Sequence, residues 1–207
     1  GGMGIIMLGM MILSRVIGGG MALARAELTG PSLSRLKPKL QETALALWGL
    51  YFALTLLEFG LLWSIGGMDW FDSINHALTT MPTGGFSTYD SSIGHFESYT
   101  VELIIILFMF IGGINFTLLW FIREGQFRKA TQDEEFKNYI VYILTTFLFI
   151  TIALLATRDY TTVDSFIDSL FHVVSLGTST GYTSTDYMQW PVVTHLFLFV
   201  LMIVGAS

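Results

Sequence analysis

Two short stretches hold the residues best suited to chemistry. They read Thr83-Gly84-Gly85-Phe86-Ser87 and Ser179-Thr180-Gly181-Tyr182-Thr183. Glycine reaches backbone angles with φ above zero, so a chain rich in it can turn successive carbonyls the same way. Carbonyl oxygens arranged like that are hard ligands able to replace the hydration shell of an alkali cation. The aromatic that follows, Phe86 or Tyr182, is suited to wedging such a loop against neighbouring helices. The two stretches are copies of one another. At an offset of 96 residues Asp72 falls on Asp168, Ser73 on Ser169, His76 on His172, Gly85 on Gly181 and Asp90 on Asp186, without a gap. A Ser/Thr match can come from composition, but fixed Asp, His and Gly positions mark a structural repeat.

Other chemistries compete for the same residues. Gly177-Thr178-Ser179-Thr180-Gly181 matches the G-x-S-x-G nucleophile elbow, with His172 and Asp168 nearby, which would make Ser179 the nucleophile of an intramembrane serine hydrolase. That elbow needs a strand, a sharp turn and a helix. The first copy places Thr83 where Ser179 stands and Met81 where Gly177 stands, so the repeat accounts for the glycine without catalysis. His76 and His172 lack the further ligands a metal site needs, and are read as bracing the loops from behind. Asp72 and Asp168 are expected to cap short helices, where a carboxylate suits the helix dipole. Asp90 and Asp186 follow the loops and are candidates for an outer vestibule. Glu58 lies within an apolar segment, where an acid is a functional candidate by default. Asn115, among small residues, is expected to join helices by hydrogen bonding.

The elements that must position these residues are membrane helices. Of the 207 residues 53% are hydrophobic and only 13% charged, the mean hydropathy is +0.64, and there is no cysteine. That balance excludes disorder, disulfides and thiol chemistry, and disfavours a soluble enzyme. The net charge of −6 argues against nucleic acid as a partner. Crossing about 30 Å of hydrocarbon takes about 20 helical residues. Ala44–Ile65, Val101–Ile122 and Tyr139–Ala156 meet or approach that length, while Gly4–Leu13 and Val192–Val204 read as cut helices. Arg15, Arg25, Arg35, Lys37 and Lys39 precede the second segment, and Arg123, Arg128, Lys129 and Lys137 separate the third from the fourth. By the positive-inside rule loops 15–42 and 123–137 face the cytoplasm. Acidic residues gather on the opposite side, where they would concentrate cations. Trp70, Trp120 and Trp190 fall near span ends, as interfacial anchors do. The parity of the spans makes 66–100 and 157–191 outer connections. Phe71–Met81 and Val163–Leu176, too short to span, are predicted to be re-entrant helices whose loops line a watery path.

With these pieces in view the chain resembles TrkH-type transporters of the Trk/Ktr/HKT superfamily, over essentially its whole length. Thr83 to Phe96 resembles that family's second filter. Ser179 to Tyr187 with Trp190-Pro191 resembles the third, each a degenerate form of the Thr-Val-Gly-Tyr-Gly channel filter. Gly1 to Gly4, Arg25-Ala26-Glu27 with Gly30-Pro31, and Gly112-Gly113-Ile114-Asn115 resemble the first inner helix, the linker after it and the second inner helix. The resemblance implies an all-α integral membrane fold of repeated helix–re-entrant pore loop–helix units. The chain would be an internal fragment, holding the end of repeat one (1–22), a cytoplasmic linker (23–42), repeat two (43–123), a second linker (124–137) and a truncated repeat three (138–207). It also implies potassium uptake across the cell inner membrane through Thr83, Gly84, Gly85, Phe86, Ser179, Thr180, Gly181 and Tyr182, with potassium as substrate and no other cofactor. Gly205-Ala206-Ser207 resembles the start of an intramembrane gate loop. Implied partners are membrane lipid, a second copy of the chain, and a cytosolic nucleotide-binding regulatory subunit of the TrkA type.

The departures from the channel pattern have consequences. Ser87 and Thr183 replace the final glycine of the signature, so the carbonyl ring is expected to be asymmetric. Gly85 and Gly181, the family's critical filter glycines, are both present, which favours potassium over sodium. A non-conducting membrane scaffold that kept the fold stands beside the hydrolase as an alternative.

Overall fold

The computed structural model describes residues 33–114, 118, 125, 127–157 and 161–205. Every regular element among them is helical: α1 Leu33–Ser64, α2 Trp70–Thr80, α3 Tyr99–Gly112, α4 Phe127–Gln132, α5 Glu134–Thr157, α6 Thr162–Gly177 and α7 Val192–Gly205. Two 3-10 turns, Ser92–Phe96 and Tyr187–Gln189, follow the two loops. The readings made for Gly4–Leu13, Arg15, Arg25, Asn115, Trp120, Arg123, Ala206 and Ser207 lie outside the described residues. The chain forms two compact units, Gly1–Ala53 and Leu54–Ser207, and both loops belong to the second.

Leu45–Ser64 in α1 and Phe136–Thr157 in α5 are long and apolar enough to cross a bilayer, whereas Tyr99–Gly112 and Val192–Ile203 are apolar but shorter. The expected span Val101–Ile122 is helical to Gly112. There the paired glycines Gly112 and Gly113 weaken the helix, and the Gly113 amide closes the last turn on the Met109 carbonyl at 2.9 Å. Helices α1 and α5 begin inside the stretches read as linkers, because lysine, glutamate and glutamine propagate a helix well past the apolar core. Large apolar side chains remain exposed along α5, among them Val141, Leu144, Leu148, Ile152 and Leu155. This suits a helix solvated by lipid, where packing and hydrogen bonds take over from water exclusion.

The short helix α6 is the hub and packs against α3, α5 and α7. Phe171, Val173 and Val174 from α6 meet Ile105 and Met109, Ile150 and Leu154, and Leu198 and Leu201 in one continuous core. The residues expected to be re-entrant, Phe71–Met81 and Val163–Leu176, are α2 and α6 with shifts of one residue. Their caps differ from expectation. Asp69 Oδ1 accepts the Asp72 amide at 2.7 Å and Thr161 Oγ1 accepts the Asp164 amide at 3.2 Å. Asp72 and Asp168 therefore cap nothing, and their carboxylates are free to reach across to the loops. Helix α6 starts earlier than its repeat mate, because Thr161 with Asp164 supplies an N-terminal cap more than a turn upstream.

Candidate selectivity-filter site

Each loop leaves its short helix with the same backbone path. After α2, the Thr83 amide donates to Thr80 O, and the Gly84 and Gly85 amides both donate to Thr79 O, at 2.8, 2.8 and 3.1 Å. After α6, Ser179 donates to Leu176 O, and Thr180 and Gly181 to Ser175 O, at 3.1, 2.9 and 3.2 Å. The partners correspond one for one at the 96-residue offset. Left-handed backbone recurs at alternate positions: φ is +55° at Thr83 and +64° at Gly85, +58° at Ser179 and +85° at Gly181. Gly84 is not left-handed, and the second left-handed residue of this loop is Thr83. A left-handed residue costs a non-glycine roughly 1–2 kcal/mol, and strain of this kind persists where the surroundings impose it.

Hydroxyls from the short helices lock the far ends of the loops. Thr79 Oγ1 lies 2.8 Å from the Phe86 carbonyl, and Ser175 Oγ donates to the Tyr182 carbonyl at 2.7 Å. These two carbonyls are held by the helices at the far ends of the loops. Thr79 and Ser175 were not singled out from the sequence, although they too sit 96 residues apart. Behind the loops both histidines are completely buried. His76 Nδ1 is 2.8 Å from Asp72 O and His172 Nδ1 is 2.9 Å from Asp168 O. His76 Nε2 reaches Ser87 Oγ at 2.9 Å, whereas His172 Nε2 meets no side-chain partner among the described residues and its ring packs on Trp190.

The aspartates tie down the exits. Thr88 Oγ1 donates to Asp72 Oδ1 at 2.7 Å, Tyr89 OH to Asp72 Oδ2 at 2.9 Å, and Ser184 Oγ to Asp168 Oδ1 at 3.3 Å. Its hydrogen bond to Asp72 pushes the Tyr89 phenol above its ordinary pKa. Asp90 and Asp186 are both exposed. Asp186 accepts from the Met188 amide and from Gln189 Nε2 at 3.1 and 3.0 Å, starting the 3-10 turn. Gly205, the described residue of the expected gate, packs so closely on the Gly177 backbone that a Cβ there would lie 2.5 Å from Gly177 O.

The two copies interlock. Tyr182 is fully buried, with its OH 2.6 Å from Thr79 Oγ1 and 3.4 Å from Thr80 Oγ1 on the other repeat. A Cβ on Gly85 would drive into the Thr180 carbonyl, and one on Gly94 into the Ser184 carbonyl. The Gly94 amide donates to Thr183 O at 3.2 Å, and the Thr183 amide to Ser92 Oγ at 3.3 Å. The geometry does not favour the hydrolase reading. Ser179 follows a helix rather than a strand, and His172 Nε2 is not within hydrogen-bonding distance of it. Among the described residues no group of three or more acidic or histidine side chains is placed to hold a metal ion.

Helices that frame two copies of a short helix followed by a left-handed loop define a pore-loop membrane fold. Similarity to known proteins makes this particular. The chain belongs to the TrkH family of cation transport proteins, which it matches over residues 1–207. It is 38% identical over 209 residues to the Trk system potassium uptake protein TrkH of Halomonas elongata, covering 99% of this chain and 43% of that protein. It is 41% identical over 208 residues to the protein of the same name from Vibrio parahaemolyticus, covering 98% of this chain and 42% of that protein. The crystal structure of the potassium transporter TrkH from V. parahaemolyticus matches with a TM-score of 0.76 at 36% identity, over 97% of this chain and 40% of that one. The chain thus spans about two fifths of the length of these relatives.

Proposed function

We propose that this chain is the central part of a pore subunit that takes up potassium across the cell inner membrane. The observation that carries the reading is the pair of interlocked loops with alternating left-handed residues. Potassium sheds water onto the carbonyls of Thr83, Gly84, Gly85, Phe86, Ser179, Thr180, Gly181 and Tyr182, while Thr79 and Ser175 fix the Phe86 and Tyr182 ends of the frame. A complete ring takes further filter loops from the rest of the protein. The membrane potential drives entry with about 2.3 kcal/mol per charge per 100 mV. Asp90 and Asp186 line the approach, His76 and His172 stiffen the loops, and Gly205, Ala206 and Ser207 begin the gate. The basic loops 15–42 and 123–137 face the cytoplasm and receive a nucleotide-binding regulatory subunit, and two copies of the pore subunit associate in the membrane. The relatives' names, which assign them to Trk systems for potassium uptake, support this reading.

The test places the full-length protein in cells lacking potassium uptake and follows rubidium and sodium entry, with and without Gly181→Ser. Rubidium entry with reduced discrimination in the variant is the expected outcome. Unchanged discrimination would remove Gly181 from the filter, and absence of uptake with the regulator present would favour the scaffold.

A further inference from the structure

Glu58 on α1 is completely buried, and among the described residues neither of its carboxyl oxygens makes a hydrogen bond of normal geometry. It lies beside the Thr80 hydroxyl, at the last residue of α2, and near the Tyr182 phenol. It therefore stands where Tyr182 of the third repeat enters the second.

An ionised carboxylate buried without a counter-charge is among the costliest arrangements a protein can hold. Something must satisfy it, and the neighbouring groups are engaged elsewhere. Thr80 Oγ1 donates to His76 O at 2.7 Å, and Tyr182 OH is 2.6 Å from Thr79 Oγ1. The titratable groups on this side are the phenol of Tyr182 from the third repeat and the imidazole of His76 from α2, whose two nitrogens pair with Asp72 O and Ser87 Oγ. An alkali cation would require several free oxygens around it. A proton requires one lone pair and no cavity.

We propose that Glu58 is a proton-binding site behind the second filter, and that its bound proton keeps the Tyr182 junction closed. The proton comes from the aqueous phase and forms an O–H bond on one carboxylate oxygen, and no electrons are exchanged with any other group. The acid so formed is neutral and can donate towards the Thr80 or Tyr182 oxygen. When the proton leaves, the bare carboxylate attracts both hydroxyls away from His76 O and Thr79 Oγ1, and the loop carrying Gly181 loosens.

Only the transport consequence rests on reading the loops as a filter, so the test has two parts. Infrared difference spectra of the purified full-length protein in lipid, parent minus Glu58→Gln, are expected to contain a protonated-carboxyl stretch at neutral pH. A carboxylate band in its place overturns the proposal, whatever the protein transports. Glu58→Leu gives the same subtraction with an apolar side chain that carries neither carboxyl nor amide. In rubidium and sodium uptake, parental discrimination is expected to fall as pH rises, by between about twofold and tenfold, the range one net hydrogen bond supplies. Glu58→Gln is expected to be flat with pH. A glutamine variant that keeps the parental pH profile also overturns the proposal. If the parent moves no cation at all, the filter reading fails while the infrared band still decides the proton.

Discussion

The two filter loops share a backbone and differ in what meets them. In the second repeat Gly85 is pressed against Thr180, while the Phe86 ring is 75% exposed. In the third repeat nothing lies within 4 Å of a Cβ placed on Gly181, while Tyr182 is fully buried in the neighbouring repeat. At the junction between these two repeats the second loop is gripped at Gly85 and the third reaches in with Tyr182. The lesson is that the repeat fixes the shape of each loop through its own short helix, whereas the contacts across the junction differ between the two copies.

The largest expected effect tests the gripped edge. Gly85→Ser meets both left-handed backbone and the Thr180 carbonyl, and it is expected to abolish rubidium uptake by the full-length protein. Gly181→Ser carries the conformational strain, about 1–2 kcal/mol, and is expected to leave uptake with poorer discrimination against sodium. Equal loss in both variants would mean that another part of the full-length chain grips Gly181 as Thr180 grips Gly85. Next comes the reaching edge. Tyr182→Ala removes a buried aromatic and should cost about 3–5 kcal/mol of stability, while Tyr182→Phe, losing one hydroxyl, should cost about 1 kcal/mol. Phe86→Ala should change the thermal midpoint little in this 207-residue chain. A large Phe86 effect confined to the full-length protein would identify the pocket it fills there.

Smaller differences sharpen the comparison of the histidines. Ser87→Ala strands a buried imidazole nitrogen and is expected to cost about 1–3 kcal/mol. Thr183→Val, at the matching position, should stay within about 0.5 kcal/mol, because among the described residues Thr183 makes no hydrogen bond to His172 Nε2. The smallest effect is electrostatic. Hydrogen bonds from Thr161 and then Tyr99 hold Asp164 below the ordinary carboxylate range. A depressed acid stabilises above its unfolded pKa of about 3.9, and that contribution is lost as pH falls through the folded value. Thermal midpoints on the acid side should therefore decline slightly more in the parent than in Asp164→Asn. Identical slopes would show that the contacts of Asp164 contribute nothing.

Much of this arrangement is legible in the residues. Long apolar runs set α1 and α5, apolar runs of about half a span set α2 and α6, and a fixed offset that preserves Asp, His and Gly gives the repeat. Gly85 and Gly181 announce their own left-handed backbone. Thr83 and Ser179 do not, because nothing in threonine or serine favours that region; their φ is imposed by amide bonds back to the preceding helix. The reach of Tyr182 to Thr79 joins residues 103 positions apart, and no local pattern encodes which repeat a tyrosine enters. The aspartates misled for a related reason. Asp72 stands in the first turn of its helix and Asp168 at the matching position, where capping is the expected role, but α6 begins nearly two turns before Asp168. Asp69 and Thr161 do the capping and leave both aspartates to tie Thr88, Tyr89 and Ser184.

The bond between Tyr182 and Thr79 also bears on how the protein is made. Residue 79 leaves the ribosome long before residue 182, so the second loop enters the bilayer without the side chain that will clamp its helix. The third repeat must then arrive and close upon it. The earlier loop is a template awaiting its successor, and the order of synthesis along the chain becomes the order in which the ring is finished.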